Sequence, residues 1–383
     1  MSKGAIIIEG HVQGLSNTRA LGRAGIPVYV LNHGEKCVAR YSRYCAKYFP
    51  CPPYDSDELA HFLKDLAEHH DVQGWVVFPS NDHAVLTLSR NRKLLSPLYH
   101  LMAPEPETAL QICDKYLLMQ KAVAAGLPVP CTWNLTAPVP EKAVWPVLIK
   151  GRLGLSFYRK TGKKVVICRS LKEYQSQKEE FTASGWEDLV MAQEMIPDEK
   201  DQCTISVGIY CVEGTIKASW TGIKVRQHPA RFGTATLARS IHDQEAVTYA
   251  ENMMKALQYN GICEIELLRD PRDGRLRLIE INPRTWLWVE LARAAGVDLT
   301  LIAWQDAVGM SPVFPDHYAA DLVWRNFYTD VWFGLGSLIR GDLALTAYFG
   351  QMKGKKVPAV WAKDDPRPFL RLTLLLPYLM RNR

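Results

Sequence analysis

Between Gly261 and Arg284 the chain reads GICEIELLRDPRDGRLRLIEINPR, two apolar-rich runs around Asp270-Pro271-Arg272-Asp273-Gly274. That cluster is a strong turn signal, so the stretch predicts a hairpin with strands over Cys263–Arg269 and Arg275–Ile281. In such a hairpin Glu266 faces the region of Glu280. Alternation along a strand then sets Glu280 and Asn282 on one face, two residues apart. Glu264 shares the face of Glu266, so either can supply the second carboxylate, with Glu266 favoured. Carboxylates crowded on one patch repel unless a cation sits between them. Hard oxygen donors suit Mg²⁺, which keeps some waters and takes its remaining ligands from a nucleotide phosphate. The competing reading is a solvated hairpin face. The Ile-x-Ile framing and the Pro283-Arg284-Thr285-Trp286 that follow at once imply half-burial instead.

The rest of the composition narrows the class. A chain of 383 residues is long enough for two or three domains, with no disulfide or metal staple needed to fold. Its 46 Lys and Arg against 40 Asp and Glu leave +6, a mild excess that suits anionic small molecules better than nucleic acid. The nine cysteines include no CxxC pair, which argues for reduced thiols in a cytoplasmic protein, against a disulfide framework or a zinc site. The opening MSKGAIIIEG reads as a first strand rather than a signal peptide, and nowhere do 18 apolar residues run together.

Along the chain, Ala5–Glu9, a turn with Gly10 and Gly14, a helical stretch to Gly25 and the apolar run Val28–Leu31 form one βαβ unit. Glu58–Glu68 is a predicted helix, Gly74–Phe78 a buried strand, and Pro79–Asp82 a turn at its carboxyl end. Ligands of open parallel sheets sit beyond the carboxyl ends of the strands. Gly10–Gly14 and Pro79–Asp82 are therefore either pocket edges or simply tight turns. Ala103-Pro104-Glu105-Pro106 opens a second region. It holds two short helices over Thr108–Ala125, strands at Trp145–Lys150, Lys163–Cys168 and Leu189–Glu194, and a hairpin of Thr204–Tyr210 with Thr215–Trp220. A long amphipathic helix is expected over Ile241–Leu257. From about Ser311 the chain is aromatic-rich and mostly helical.

Two lysines stand out: Lys115, opening a helix after Asp114, and Lys150, closing the WPVLIK strand beside a glycine-bearing loop. A lysine there meets a phosphate as a compact point charge. Ala192-Gln193-Glu194-Met195-Ile196-Pro197 reads as an edge strand breaking into a loop, whose backbone groups and Gln193 could read an adenine edge.

In this order and spacing the parts resemble the ATP-grasp superfamily, over roughly Ala103 to Gly309. Asp364-Asp365-Pro366-Arg367-Pro368 is similar to the tail of its carboxylate–amine ligase branch, which includes D-aspartate ligase-like enzymes. The resemblance implies an α/β chain. Residues 1–105 would be a Rossmann-like pre-ATP-grasp domain and 106–310 the ATP-grasp domain, with a central lid lobe at about 131–195 and a C-terminal lobe at about 196–310. Residues 311–383 would be a mostly helical C-terminal extension. It further implies that Lys115 and Lys150 hold ATP phosphates, that Gln193, Glu194 and Ile196 frame adenine, and that Asp201 or a neighbour binds ribose. Glu266, Glu280 and Asn282 would carry one or two Mg²⁺, with Mn²⁺ as a substitute. Arg284 would steady the transferring phosphoryl group or a substrate carboxylate, and Arg226 the γ-phosphate and acyl phosphate, with Lys150 sharing that charge.

The implied activity is an ATP- and Mg²⁺-dependent ligase joining small carboxylate and amine substrates through an acyl phosphate. The substrate could belong to a cell-envelope or glycan or peptide precursor. The alternatives are a non-catalytic ATP-binding regulatory module and a ligase forming a non-amide bond. One departure is the stretch after Lys150, GRLGLSFYRKTGKK. It has few glycines, so lid closure would lean on Ser156, Arg159 and Lys160. The tail Phe369–Arg383, apolar with arginines at both ends, either docks on the core or lies at a membrane interface. Trp286, Trp288, Trp304 and Trp324 could line a sugar cleft, although most such residues are core.

Overall fold

The β1 run AIII (Ala5–Ile8) is buried at every position, as a strand covered on both faces must be. It sits at the centre of a parallel sheet with β2 (Val28–Asn32), β3 (Cys45–Pro50), β4 (Trp75–Pro79) and β5 (Tyr99–Leu101), in the order β3-β2-β1-β4-β5. The order reverses between β1 and β4, which opens a crevice at their carboxyl ends. The computed structural model describes residues 3–197, 199, 202–229 and 232–381.

A second sheet is antiparallel and small: β6 (Thr132–Asn134), β7 (Val147–Gly151), β8 (Val166–Cys168) and β9 (Val190–Glu194), in the order β6-β9-β7-β8. The stretch after Lys150, expected as a loop, instead forms a helix over Gly154–Thr161. Phe157 on that helix is buried over β7. A Cβ on Gly151 would lie 2.1 Å from the Phe157 Cβ, so only glycine lets the helix fold back there. Arg159 on the helix reaches Asp55 of the first sheet's region at 2.6 Å.

The third sheet has seven strands: β10 (Thr204–Val212), β11 (Thr215–His228), β12 (Thr234–Ile241), β13 (Gly261–Arg269), β14 (Leu276–Asn282), β15 (Leu322–Arg325) and β16 (Lys355–Pro358). Their order is β14-β13-β10-β11-β12-β15-β16, and only β15 and β16 pair in parallel. The C-terminal extension keeps the expected helices, at Phe327–Arg340, Leu345–Gly350 and Arg367–Arg381. It also contributes β15 and β16, four residues each, too short to show a period in the sequence.

Asp364 and Asp365 clasp this C-terminal stretch to the elements around the first sheet. The Asp365 carboxylate is fully buried and accepts from Arg19 Nε (3.0 Å), Ser42 Oγ (2.7 Å) and the Arg43 backbone N–H (2.9 Å). Asp364 accepts from Arg23 Nε and the Tyr44 hydroxyl, each at 2.8 Å. The tryptophans are core: Trp286, Trp288 and Trp324 are fully buried, and Trp304 donates to the Gly4 carbonyl at 3.1 Å. Trp286 and Trp288 still form part of a cleft floor, with Trp286 stacked on Trp220.

Candidate active site

A cleft of about 710 Å³ lies where the three sheets meet. One wall comes from β13 and β14. Their register sets Glu264 opposite Asn282 and Glu266 opposite Glu280, the pairing that the alternation implied. The turn between them is closed by Gly274 N–H donating to the Asp270 carbonyl at 2.8 Å. Asp270 is itself fully buried, and the Arg272 and Arg277 guanidiniums hold its carboxyl down at about 2. Arg272 also reaches back to the Glu194 carboxylate, tying the hairpin turn to the end of β9.

Each outer carboxylate is matched by a lysine from another element. Lys115, at the start of the helix Lys115–Ala124, donates to Glu280, and Lys224 of β11 donates to Glu266 at 2.6 Å. The Lys115 ammonium, with Lys224 and Lys150 beyond it, holds the Glu280 carboxyl far below the ordinary range. Glu264 goes the other way. Burial and the neighbouring Glu266 push its carboxyl well up. Its Oε2 accepts from Asn282 Nδ2 at 3.0 Å, and its buried Oε1 has no hydrogen-bond partner among the described residues.

A hard divalent cation fits this donor set. The side chains offer oxygens alone, and one buried carboxylate oxygen is unsatisfied, a state costly enough to need a ligand. Among the described residues no three His, Cys, Asp or Glu side chains already converge on one metal position. The lysines take Glu266 and Glu280 instead, so cation binding there requires those contacts to open.

The opposite wall carries Lys150 in β7, with Lys164, Tyr158, Gln193, Glu194 and Ile196 close by. Gln193 Nε2 donates to Thr132 Oγ1 at 2.8 Å, so its side chain is already engaged within the sheet. Glu194 is buried, bonded to Arg272 and to the Cys131 N–H at 3.3 Å. Ile196 follows as a buried apolar surface. Burial, with the Lys115 ammonium nearby, pulls Lys150 down to about 7. Asp201 lies outside the described residues.

The third wall comes from the crevice of the first sheet, through Glu9, His11 and Gln13 after β1 and Ser80, Asn81 and Asp82 after β4. Both predicted turns therefore edge the pocket. Arg284 joins this wall to the hairpin: Nε donates to Asp82 Oδ1 at 2.7 Å and Nη2 to Asn282 Oδ1 at 3.0 Å. Gln13 Nε2 bonds the Thr285 carbonyl at 2.5 Å. Glu9 holds a left-handed backbone (φ 75°), an unfavourable conformation for glutamate, and such positions concentrate at functional sites.

Arg226 requires a correction. Expected at the phosphates, it turns away from the cleft and forms a two-pronged ion pair with Asp330, at 2.8 and 2.9 Å, under the Tyr348 ring. Strict alternation would have put Lys224 and Arg226 on one face. The register between β11 and β12 slips on both sides of Arg226, and that irregularity re-aims the side chain. The same slip brings Gln227 to the cleft. Lys224 is thus the cleft cation of this strand, a residue the sequence reading passed over for its neighbour. Its only signal was its place two residues before Arg226.

A sequence model for the family described as Carbamoyl-phosphate synthase L chain, ATP binding domain, matches residues 185–311. No curated protein matches the chain. Among solved structures, the ADP complex of the N5-carboxyaminoimidazole ribonucleotide synthetase purK is 16% identical, with a TM-score of 0.65 over 88% of this chain and 85% of that one. Biotin carboxylase from Campylobacter jejuni is 17% identical (TM-score 0.63, 83% and 74% covered). L-amino acid ligase from Bacillus licheniformis is 16% identical (TM-score 0.61, 82% and 75% covered). At such identities the likeness is one of fold. The chain thus shares the fold of these neighbours, three sheets around one cleft, and its residues 185–311 match an ATP-binding segment.

Proposed function

We propose that the chain is an ATP- and Mg²⁺-dependent ligase that joins a small carboxylate to an amine through an acyl phosphate. The observation that carries this reading is the convergence of Lys115, Lys150 and Lys224 with Glu264, Glu266, Glu280 and Asn282 on one cleft. The family model's own description, an ATP binding domain, and neighbours titled as a synthetase and an amino acid ligase support it.

In this reading Lys115 and Lys150 face the phosphates, while the apolar Ile196 beside β9 supports adenine. Magnesium, held by Glu266, Glu280 and Asn282 with Glu264 behind them, would neutralise the crowded phosphate charge. A substrate carboxylate oxygen forms a bond to the γ-phosphorus as the bond to the β-phosphate oxygen breaks, and ADP leaves. The amine nitrogen then attacks the acyl carbon, phosphate departs, and the nitrogen sheds its extra proton. Placing the reactants and matching charge carries most of such a reaction. Lys150, Lys224 and Arg284 supply positive charge, and the helix Gly154–Thr161 shields the cleft from water.

The amine belongs on the first-sheet wall. Glu266, Glu280, Asp82 and Glu194 each have a lysine or arginine partner, whereas Glu9 has none among the described residues and is met only by the Asn81 amide at 2.9 Å and His11 at 3.5 Å. Burial lowers the His11 pKa, leaving the ring neutral near pH 7. Ser80, buried at the same edge, has a hydroxyl without a hydrogen-bond partner among the described residues. An arriving ammonium supplies what these groups lack. The test is ADP release with Mg²⁺ across a panel of carboxylate and amine pairs. Amine-dependent release is expected, and no nucleotide turnover with any pair overturns the reading.

The lowered Lys150 makes a separate prediction. Phosphate beside it favours the ammonium, so its pKa rises on binding. Below about 7 the free protein is already protonated and affinity is full; as pH climbs above that value, binding must take up a proton and weakens. Calorimetric titration of MgADP in buffers of different ionisation heat, at about one pH unit above that value, should show proton uptake that Lys150→Met removes. Equal uptake by wild type and variant refutes this placement of Lys150.

A further inference from the structure

The helix Phe327–Arg340 is built inside out. Its buried positions are Asp330, held by Arg226 and Arg325, and Gly334, whose missing Cβ makes room for Tyr348. Its outward side carries Phe327, Val331, Trp332, Leu335 and Ile339, with Trp332 60% and Ile339 78% exposed. Four of these recur every fourth residue, so they form one stripe along the helix. The two other C-terminal helices continue the pattern. Leu345 and Phe349 are exposed on Leu345–Gly350, and Leu370 and Leu374 on Arg367–Arg381. The three helices are neighbours. Tyr348 packs at Gly334, and Tyr328 stacks on Phe369 at 5.4 Å. A soluble surface seldom carries so much apolar side chain in one region without a binding role.

Charge identifies the occupant. Residues 327–381 hold eight lysines and arginines against four aspartates. The four aspartates are all engaged: Asp330 and Asp365 in buried ion pairs, Asp364 by Arg23, and Asp342 by Arg340. Lys353, Lys355, Lys356, Lys363 and Arg367 are exposed and have no carboxylate partner among the described residues. Basic residues thus end or flank each of the three helices: Arg340, Lys353, and Arg367 with Arg371.

We propose that this C-terminal face seats on an anionic lipid surface, its apolar stripe entering the headgroup boundary and its basic rim meeting lipid phosphates. Amphipathic helices with aromatic and aliphatic outer residues and basic flanks bind such interfaces in this way. A second copy docked about a two-fold axis would set this basic rim against itself, at an electrostatic cost. No helix among the described residues is long and apolar enough to cross a membrane, so the contact is peripheral. It also lies outside the cleft, and its test is independent of the ligase reading.

The experiment is co-sedimentation of the full chain with vesicles of phosphatidylcholine alone or mixed with phosphatidylglycerol. Pelleting with the mixed vesicles only, weakening as salt is raised, is expected. The variant Trp332→Ser/Leu335→Ser/Ile339→Ser should lose about tenfold or more of that partitioning. Its unfolding temperature and its MgADP binding should match wild type, since all three side chains face solvent. Absence of pelleting with the mixed vesicles overturns the proposal, and so does pelleting that the triple variant retains. A dimer in light scattering that the triple variant dissociates assigns the face to a second copy and overturns it equally.

Discussion

Glu280→Gln is expected to cut ADP release by about 10³-fold while the chain stays folded. Glu280 is where both wall charges meet: it faces Glu266 across the hairpin and takes the Lys115 ammonium. Lys115, then Lys224 and Lys150, keep its carboxyl ionised far into acid, so its negative charge is present across the working range. The amide keeps the shape and still accepts a hydrogen bond from Lys115, so the fold loses about 1 kcal/mol. What it removes is the charge that can change partners from lysine to cation. MgADP affinity should therefore fall more than that of ADP without metal, a split that a general loosening of the site would not produce. Wild-type turnover in Glu280→Gln would take the hairpin out of the active site. Alanine is a poorer probe, because it leaves Lys115 without any oxygen to accept its proton.

The parts of this site legible in the sequence are those governed by a short period. Glu264, Glu266, Glu280 and Asn282 come from one hairpin whose two strands alternate and whose turn is marked by Pro271 and Gly274, although a register shift between Glu266 and Leu267, which no pattern marks, is what sets Glu266 opposite Glu280. The crevice loops at Gly10–Gly14 and Pro79–Asp82 were legible as carboxyl ends of strands, because the position of a parallel strand's end carries its meaning. The lysine pairs were not. Lys115 meets Glu280 from 165 positions away, and Lys224 meets Glu266 from 42, through contacts that helix packing and the order of strands in the sheet decide. The helix Gly154–Thr161 was hidden by its flanking glycines, although Phe157 packing on β7 settles it. The short strands β15 and β16 were hidden by their length. The inverted helix Phe327–Arg340 could be read as amphipathic, but which side faces outward depends on Asp330 finding Arg226 and Arg325.

Arg226→Met and Lys224→Met should fail in opposite ways, although the residues are two apart. Lys224 contacts Glu266 with both side chains about nine-tenths buried. Its loss leaves a buried carboxylate without its cation, and burial with Glu280 nearby, already lifting the Glu266 pKa, then goes unopposed by that ammonium. Glu266 is then driven further toward its protonated form and turnover falls about 10²-fold, with the loss easing as pH rises and the carboxylate ionises again. Among the described residues Arg226 bonds no cleft side chain; it grips Asp330, whose side chain is fully buried. Arg226→Met leaves Asp330 with Arg325 as its one cation among the described residues, at a cost of about 3 kcal/mol, so the unfolding temperature drops. Its remaining folded fraction should keep the pH profile and MgADP affinity of wild type. A double change of Arg226 and Asp330 to apolar residues should recover much of the lost stability, because no uncompensated charge is left inside. The opposite pattern, Arg226→Met stable and inactive with Lys224→Met active, would mean that the β11 irregularity places the other cation at the substrate.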